Sequence, residues 1–179
     1  MLEILKNYIY DQKALGLLAE IICSHSSNKA GVGLPLGNLT SQLFVNIYLN
    51  ALDQFVKHDL RAKYYIRYAD DFVILSQEKE WLEEIVPEIN KFLSEKLKLT
   101  LHPNKIFIKT LASGIDLLGY TVFPNHILLR TKTKQRVLVR VSEKNLPFYL
   151  GVLSHCNSYG LEVIIREIAK AEAGKSLMK

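Results

Sequence analysis

Apolar residues recur at helical spacing in four parts of the chain, and this pattern predicts the helices. Residues 1–24 fit two short helices, and a longer helix is predicted over 39–58. Residues 78–98 have the pattern of an amphipathic helix, in which Pro87 either kinks the helix or restarts it. The tail over 147–170 returns to a helical pattern.

Strands are predicted where β-branched and aromatic residues alternate with turn residues. Apolar residues on both sides of Asp70 and Asp71 predict a β-hairpin over 64–75 with the two acids at its tip. The segment 24–37 is rich in Ser, Gly and Asn and predicts a loop, and the basic stretch 132–136 separates the last two of four further strands. Those four strands are Ile106–Thr110, Asp116–Val122, Ile127–Arg130 and Val137–Val141. Helices alternating with short antiparallel strands predict an α+β fold.

Charge and cysteine usage narrow the class of protein. The formal net charge of +5 favours a polyanionic partner such as nucleic acid. Cys23 and Cys156 lie far apart and outside any paired metal-ligand spacing, so neither a zinc site nor a disulfide framework is expected. This use of cysteine predicts a protein of the reducing cytoplasm. No apolar run approaches the roughly 20 residues needed to cross a bilayer, so no membrane insertion is expected.

The adjacent aspartates at the hairpin tip have two explanations. Aspartate is a common turn residue whose side chain caps local amides. However, the tip lacks the glycine or asparagine that a tight two-residue turn prefers. Two carboxylates held together repel each other, and a divalent cation that neutralises them makes the arrangement favourable. The pattern at Asp70 and Asp71 therefore favours metal binding.

The hairpin tip resembles a known active-site motif. Tyr68-Ala69-Asp70-Asp71 resembles the YxDD box of reverse transcriptases, with Phe72 following it. Three further segments resemble motifs of the same family in the same order: the loop and helix start at 33–42, the lysine-bearing segment 99–105 and the primer-grip hairpin at 117–120. The resemblance implies an incomplete reverse-transcriptase palm, an antiparallel sheet with helices on one face, followed by the start of a helical thumb. The implied division is 1–143 for the palm and 144–179 for the thumb.

The resemblance also implies a role for each matching residue. The implied activity is RNA-directed DNA polymerisation with two Mg²⁺ ions, on template RNA, a DNA primer and dNTP. Asp70 and Asp71 would be catalytic metal ligands, and Lys105 would assist at the phosphates, although a solvated turn lysine explains Lys105 equally well. Implied nucleotide or template contacts are Gly37, Asn38, Ser41, Gln42 and Tyr68. The implied primer grip is Leu118, Gly119 and Tyr120.

One carboxylate that the resemblance implies has no good candidate. The family carries another catalytic aspartate on an earlier strand, and Asp11 is the only aspartate upstream of the loop. Its surroundings are those of a turn or cap residue between helices. The chain is therefore expected to be part of a larger enzyme, without its first palm strand, and to be inactive alone.

The loop sequence suggests a subtype. Segment 36–42 resembles reverse transcriptases of diversity-generating retroelements, in which Ser-Gln replaces Ser-Pro. That type implies errors at template adenines and a small basic accessory protein. Group II intron, retron and host-defence enzymes, and a non-catalytic nucleic-acid-binding remnant, remain alternatives. Segment 149–157 resembles the first thumb helix, and contacts to duplex phosphates are expected from Lys144, His155, Arg166 and Lys170.

Overall fold

The computed structural model describes residues 1–24 and 39–177. The chain divides into two compact units, Met1–Ile108 and Lys109–Lys179. Each unit combines helices with one small antiparallel sheet, which confirms the predicted α+β class. The predicted boundary between palm and thumb at residue 143 is a functional division that compactness does not test, so it stays a prediction.

The described residues of the first unit form four α-helices and one hairpin, besides shorter helical turns. Its elements are α1 (Leu2–Lys6), α2 (Gln12–Cys23), α3 (Leu39–Gln54), β1 (Tyr64–Tyr68), β2 (Asp71–Leu75) and α4 (Lys79–Phe92). The helices α3 and α4 each continue into one π-helical turn, Phe55–Asp59 and Leu93–Leu97 respectively. The predicted helices and hairpin are thus present, and Pro87 lies inside α4 without restarting it.

The helix α3 takes part in both hydrophobic cores of the first unit. Near its start, Phe44 packs with Leu5 of α1 and Leu15 of α2. Further along, Leu52 joins the buried residues of α4, among them Ile89. Burial of one such side chain stabilises the fold by about 1.5–3 kcal/mol. The same core contacts the inward face of the hairpin through Tyr65, Phe72 and Ile74, so the helices cover one face of the sheet.

The described residues of the second unit form a three-stranded sheet and three α-helices. Its elements are β3 (Ile115–Leu117), β4 (Tyr120–Val122), β5 (Ile127–Leu129), α5 (Thr131–Arg140), α6 (Leu146–Leu153) and α7 (Tyr159–Leu177). Its core joins Val137 and Val141 to Leu153 of α6 and to Leu161 and Ile165 of α7. None of the helices in the described residues is long and apolar enough to span a membrane.

The predicted strand at 137–141 is wrong, because this segment belongs to the end of α5. Val137 and Val141 are both 1% exposed, whereas Val139 is 83% exposed. A strand would place all three valines on one face, but a helix places only residues four apart together. The basic stretch 132–136 is consequently part of the helix rather than a turn.

Two other sequence predictions, both of strands, need correction. Segment 106–110 forms no strand, and no described strand pairs with it. Its side chains are exposed, so they lack the packing against a sheet on which β propensity depends. Segment 116–122 is not one strand, because a turn at Leu118 and Gly119 divides it. The tail is helical as predicted and consists of α6 and α7, separated by residues 154–158, where the hydroxyl of Ser158 donates to the carbonyl of Leu153.

Candidate active site

The aspartate motif lies at the tightest point of the first unit's hairpin. Strands β1 and β2 pair in register from Tyr64 with Leu75 to Tyr68 with Asp71, so Ala69 and Asp70 alone form the turn. Ala69 has a φ of 52°, in the left-handed region. This conformation costs roughly 1–2 kcal/mol for a residue with a Cβ atom. The turn is therefore tight and strained, although it lacks the glycine or asparagine usual in such turns.

The turn exposes both carboxylates. Asp70 is the second turn residue and Asp71 begins β2, and both are exposed. Alternation along the strands puts Asp71 on the same face as Tyr68 and Ile66, opposite the helices. Tyr68 is 60% exposed and Ile66 is 59% exposed. The acids thus stand at the end of an open, partly aromatic sheet face.

A polar network on the inward face fixes the hairpin to α3. Arg67 donates from Nε and Nη2 to the two carboxylate oxygens of Asp53, at 2.7 and 2.5 Å. Its Nη1 donates to the side chain of Asn46 at 3.0 Å and to the carbonyl of Ala69 at 2.8 Å. The hydroxyl of Tyr65 also donates to Asp53, at 2.7 Å. One guanidinium therefore links the helix directly to the turn that carries Asp70.

This network is largely shielded from solvent, which shapes its electrostatics. The side chain of Arg67 is 8% exposed and that of Asp53 is 27% exposed. Burial acts to raise the pKa of Asp53, but the hydrogen bonds from Arg67 and Tyr65 outweigh it, so this pKa lies below its usual range. The hydrogen bond to Asp53 raises the pKa of Arg67. Burial, with the bond to Asp53, raises the pKa of Tyr65 well above its usual value. The pair is thus charged and the phenol neutral near pH 7.

Sequence patterns missed these anchoring residues. Asp53 and Arg67 are fourteen positions apart, and such a separation leaves no periodic signal. One sign was available: Arg67 occupies an inward position of β1, two residues after Tyr65 and directly opposite Phe72. A charged residue at an inward sheet position needs a buried partner.

The residues predicted to bind nucleotide or template are only partly covered by the structure. Gly37 and Asn38 lie outside the described residues. Ser41 and Gln42 lie near the start of α3, where Ser41 is 7% exposed and Gln42 is exposed. The helix that presents Gln42 is the same helix that holds Arg67, so both parts of the candidate site depend on the position of α3.

The predicted catalytic lysine lies in a short 3₁₀ helix, Pro103–Lys105. This segment is tied to α4, because the N–H of Leu101 donates to the Asn90 side chain at 3.1 Å. Lys105 is exposed and forms no ion pair with any carboxylate in the part of the chain that the structure describes. Its ammonium group is therefore accessible to an anionic ligand.

The predicted primer grip is the β3–β4 turn of the second unit. Leu118 and Gly119 have φ values of 53° and 86°, as in a type I′ turn, which suits the twist of a hairpin. Leu118 is 49% exposed. The hydroxyl of Tyr120 donates to the carbonyl of Val152 in α6 at 2.8 Å, and burial raises the pKa of this phenol. Tyr120 thus anchors the hairpin, and Leu118 is its exposed tip.

The chemistry of Asp70 and Asp71 suits a divalent cation. Carboxylate oxygens are hard ligands, and Mg²⁺ commonly binds one or two carboxylates together with substrate phosphates. The described residues hold no cluster of three or more His, Cys, Asp or Glu side chains. Asp11 is engaged elsewhere, since it caps α2 by accepting bonds from the N–H groups of Lys13 and Ala14. That role confirms its interpretation as a cap residue.

Comparison with known proteins shows what this chain is similar to. A family described as "Reverse transcriptase (RNA-dependent DNA polymerase)" matches residues 5–122. The "Putative COX1/OXI3 intron 2 protein" of Saccharomyces cerevisiae is 35% identical over 63 residues. That alignment covers 35% of this chain and 7% of the yeast protein. The chain therefore corresponds to a small part of this curated relative.

Proposed function

The chain belongs to the reverse transcriptase family, and from this premise we propose that it supplies the aspartate turn of an RNA-directed DNA polymerase. The observation that carries the proposal is the strained turn at Ala69 and Asp70, which exposes two carboxylates and is bonded to α3 through Arg67. The reaction would join the 3′ oxygen of a primer to the α-phosphorus of a dNTP and release pyrophosphate.

Each candidate residue has a defined task in this proposal. Asp70 and Asp71 would hold Mg²⁺, which when bound lowers the pKa of the primer hydroxyl and stabilises the departing pyrophosphate. Lys105 would place positive charge, or a proton, at the pyrophosphate. Gln42 and Tyr68 are exposed polar groups of α3 and β1 that would contact the nucleotide or template.

The test is Asp70→Asn in the full-length enzyme that contains this chain. We expect Mg²⁺-dependent DNA synthesis on a primed RNA template to be lost, because an amide cannot replace the anionic ligand. Asp59→Asn is the matched control, since Asp59 is also exposed in the first unit and lies outside the turn. Undiminished synthesis by the Asp70 variant would refute the assignment.

We also propose that the 179-residue chain does not polymerise alone. The proposal is supported by the role of Asp11 as a helix cap. Asp11 is the one aspartate of this chain before segment 33–42, so no other aspartate there could bind the metals. Primer extension by the purified chain with Mg²⁺, against the full-length enzyme as positive control, tests it. Incorporation of labelled nucleotide by the chain alone would show that the two carboxylates suffice.

For the subtype, we propose a diversity-generating retroelement enzyme, supported by Ser41-Gln42 at the start of α3. Such an enzyme would copy a template RNA with errors at adenines, with a small basic accessory protein, in the cytoplasm. The yeast intron protein favours the alternative of a group II intron enzyme. Sequencing the DNA made by the full-length enzyme separates them: errors concentrated at template adenines support the first, and errors spread over all bases support the second.

A further inference from the structure

The chain's positive charge is concentrated on one helix of the second unit. Five of its 23 lysines and arginines lie in the eleven residues from Arg130 to Arg140, and no acid occurs between Asp116 and Glu143. The other 18 cations match the total of 18 acids, so the net charge of +5 equals the charge of this segment. The basic character of the protein is therefore local.

The cations of α5 are exposed, and four of them are unpaired in the described residues. Arg130, the N-cap, lies 3.6 Å from the carboxylate of Asp116. In the part of the chain that the structure describes, no ion pair involves Lys132, Lys134, Arg136 or Arg140. Lys132 and Arg136 are four residues apart and lie one above the other on the helix, away from the buried side chain of Val137.

This charge arrangement is unfavourable for the helix itself. The first turn of α5 contains no acid, and its N-cap makes no side-chain capping bond. Lysines at a helix N-terminus oppose the macrodipole, and like charges four residues apart repel. Local rules that are broken without a structural gain are expected at functional surfaces. The four cations are thus better explained by an external anion than by the stability of α5.

The basic helix adjoins the β3–β4 turn. The N–H of Arg130 donates to the carbonyl of Gly119 at 2.9 Å. A Cβ atom added to Gly119 would lie 3.2 Å from the Thr133 hydroxyl, so the first turn of α5 packs against this turn. The exposed tip at Leu118 and the exposed cations of α5 therefore belong to neighbouring parts of the second unit.

We propose that α5 binds the sugar–phosphate backbone of the RNA–DNA duplex, without sequence preference, through Lys132, Lys134, Arg136 and Arg140. The inference rests on the proposed function for its choice of polyanion. An acidic protein is the less favoured partner, because Val139 is the one strongly exposed apolar side chain of α5 and protein interfaces need a larger apolar centre.

The experiment compares two double variants of the whole chain by fluorescence anisotropy with a labelled RNA–DNA hybrid duplex. Lys132→Gln/Arg136→Gln removes two charges from α5. Lys91→Gln/Lys96→Gln removes two exposed charges from α4 and the turn after it, and so has the same effect on net charge. Circular dichroism checks that both variants are folded, and Lys132→Arg/Arg136→Lys should bind like the wild type.

The salt dependence of binding distinguishes the outcomes. Loss of two phosphate contacts should reduce the slope of log K against log salt by about 1.8, so between 50 and 200 mM salt the wild type should lose about 12-fold more affinity than the α5 variant. The α4 variant should follow the wild type. Equal slopes for wild type and α5 variant, an equal loss in the α4 variant, or no binding of the duplex would each overturn the proposal. Duplex binding through α5 with no synthesis by the full-length enzyme would refute the proposed function alone.

Discussion

Replacing Asp53 by Asn tests how the turn that carries Asp70 is held in place. The change keeps the shape of the side chain but leaves the guanidinium of Arg67, which is 8% exposed, without its carboxylate. Removing one partner of a buried ion pair costs about 3–5 kcal/mol, because the other charge remains desolvated. Asp53 is 27% exposed, so the lower end of this range applies. We expect the free energy of unfolding to fall by about 3 kcal/mol.

The single tryptophan makes the measurement specific to the first unit. Trp81 lies in α4 and packs against the core that supports the hairpin, so its fluorescence follows the unfolding of that unit in urea. With a slope of about 1.5 kcal/mol/M, the midpoint should fall by about 2 M. Glu83→Gln is the control, since it breaks the exposed Lys79–Glu83 pair and should leave the midpoint in place.

A double variant and a pH series sharpen the test. Asp53→Asn/Arg67→Met removes the unpaired cation and should recover part of the lost stability. The pKa of Asp53 is lower in the folded state than in the unfolded state. Its carboxylate therefore stabilises the fold fully above its ordinary pKa near 4, and this stabilisation is lost as the pH falls through the folded-state pKa. Wild-type stability should therefore decline more steeply than that of the Asn variant below about pH 4. A loss of unfolding free energy under about 1 kcal/mol in Asp53→Asn would refute this reasoning. The same decline of stability below about pH 4 in the wild type and the Asn variant would also refute it.

Two further predictions concern the turn and the lysine. Ala69→Gly should raise the free energy of unfolding, measured by Trp81 fluorescence, by about 0.5–1 kcal/mol, because relief of the left-handed strain exceeds the entropic cost of glycine. A decrease would contradict the φ of 52° at this position. Lys105→Gln in the full-length enzyme should lower kcat by about 100-fold with little change in KM for the dNTP, as expected for charge or proton donation in the transition state. An unchanged kcat would mean that Lys105 is only a solvated turn residue.

The sequence was informative where apolar spacing had one interpretation. The hairpin followed from alternation around Asp70 and Asp71, and α4 from its amphipathic period. At α5 the spacing was ambiguous, because Val137 and Val141 fit both a strand and a helix, and only the exposure of Val139 separates the two. The loop around Gly37 remains a sequence prediction.

The anchoring of the turn was hidden for a different physical reason. Apolar contacts are non-directional and leave a periodic trace, but they end at Phe72 on the inward face of the hairpin. Arg67 lies directly opposite Phe72, and its planar guanidinium fixes both distance and direction through paired bonds to Asp53. Carboxylates that bind a metal must be held within about 0.5 Å of the required geometry, and directional hydrogen bonds achieve this better than apolar contacts do. Asp53 and Arg67 therefore hold the turn in place, and we expect the loss of either side chain to displace Asp70.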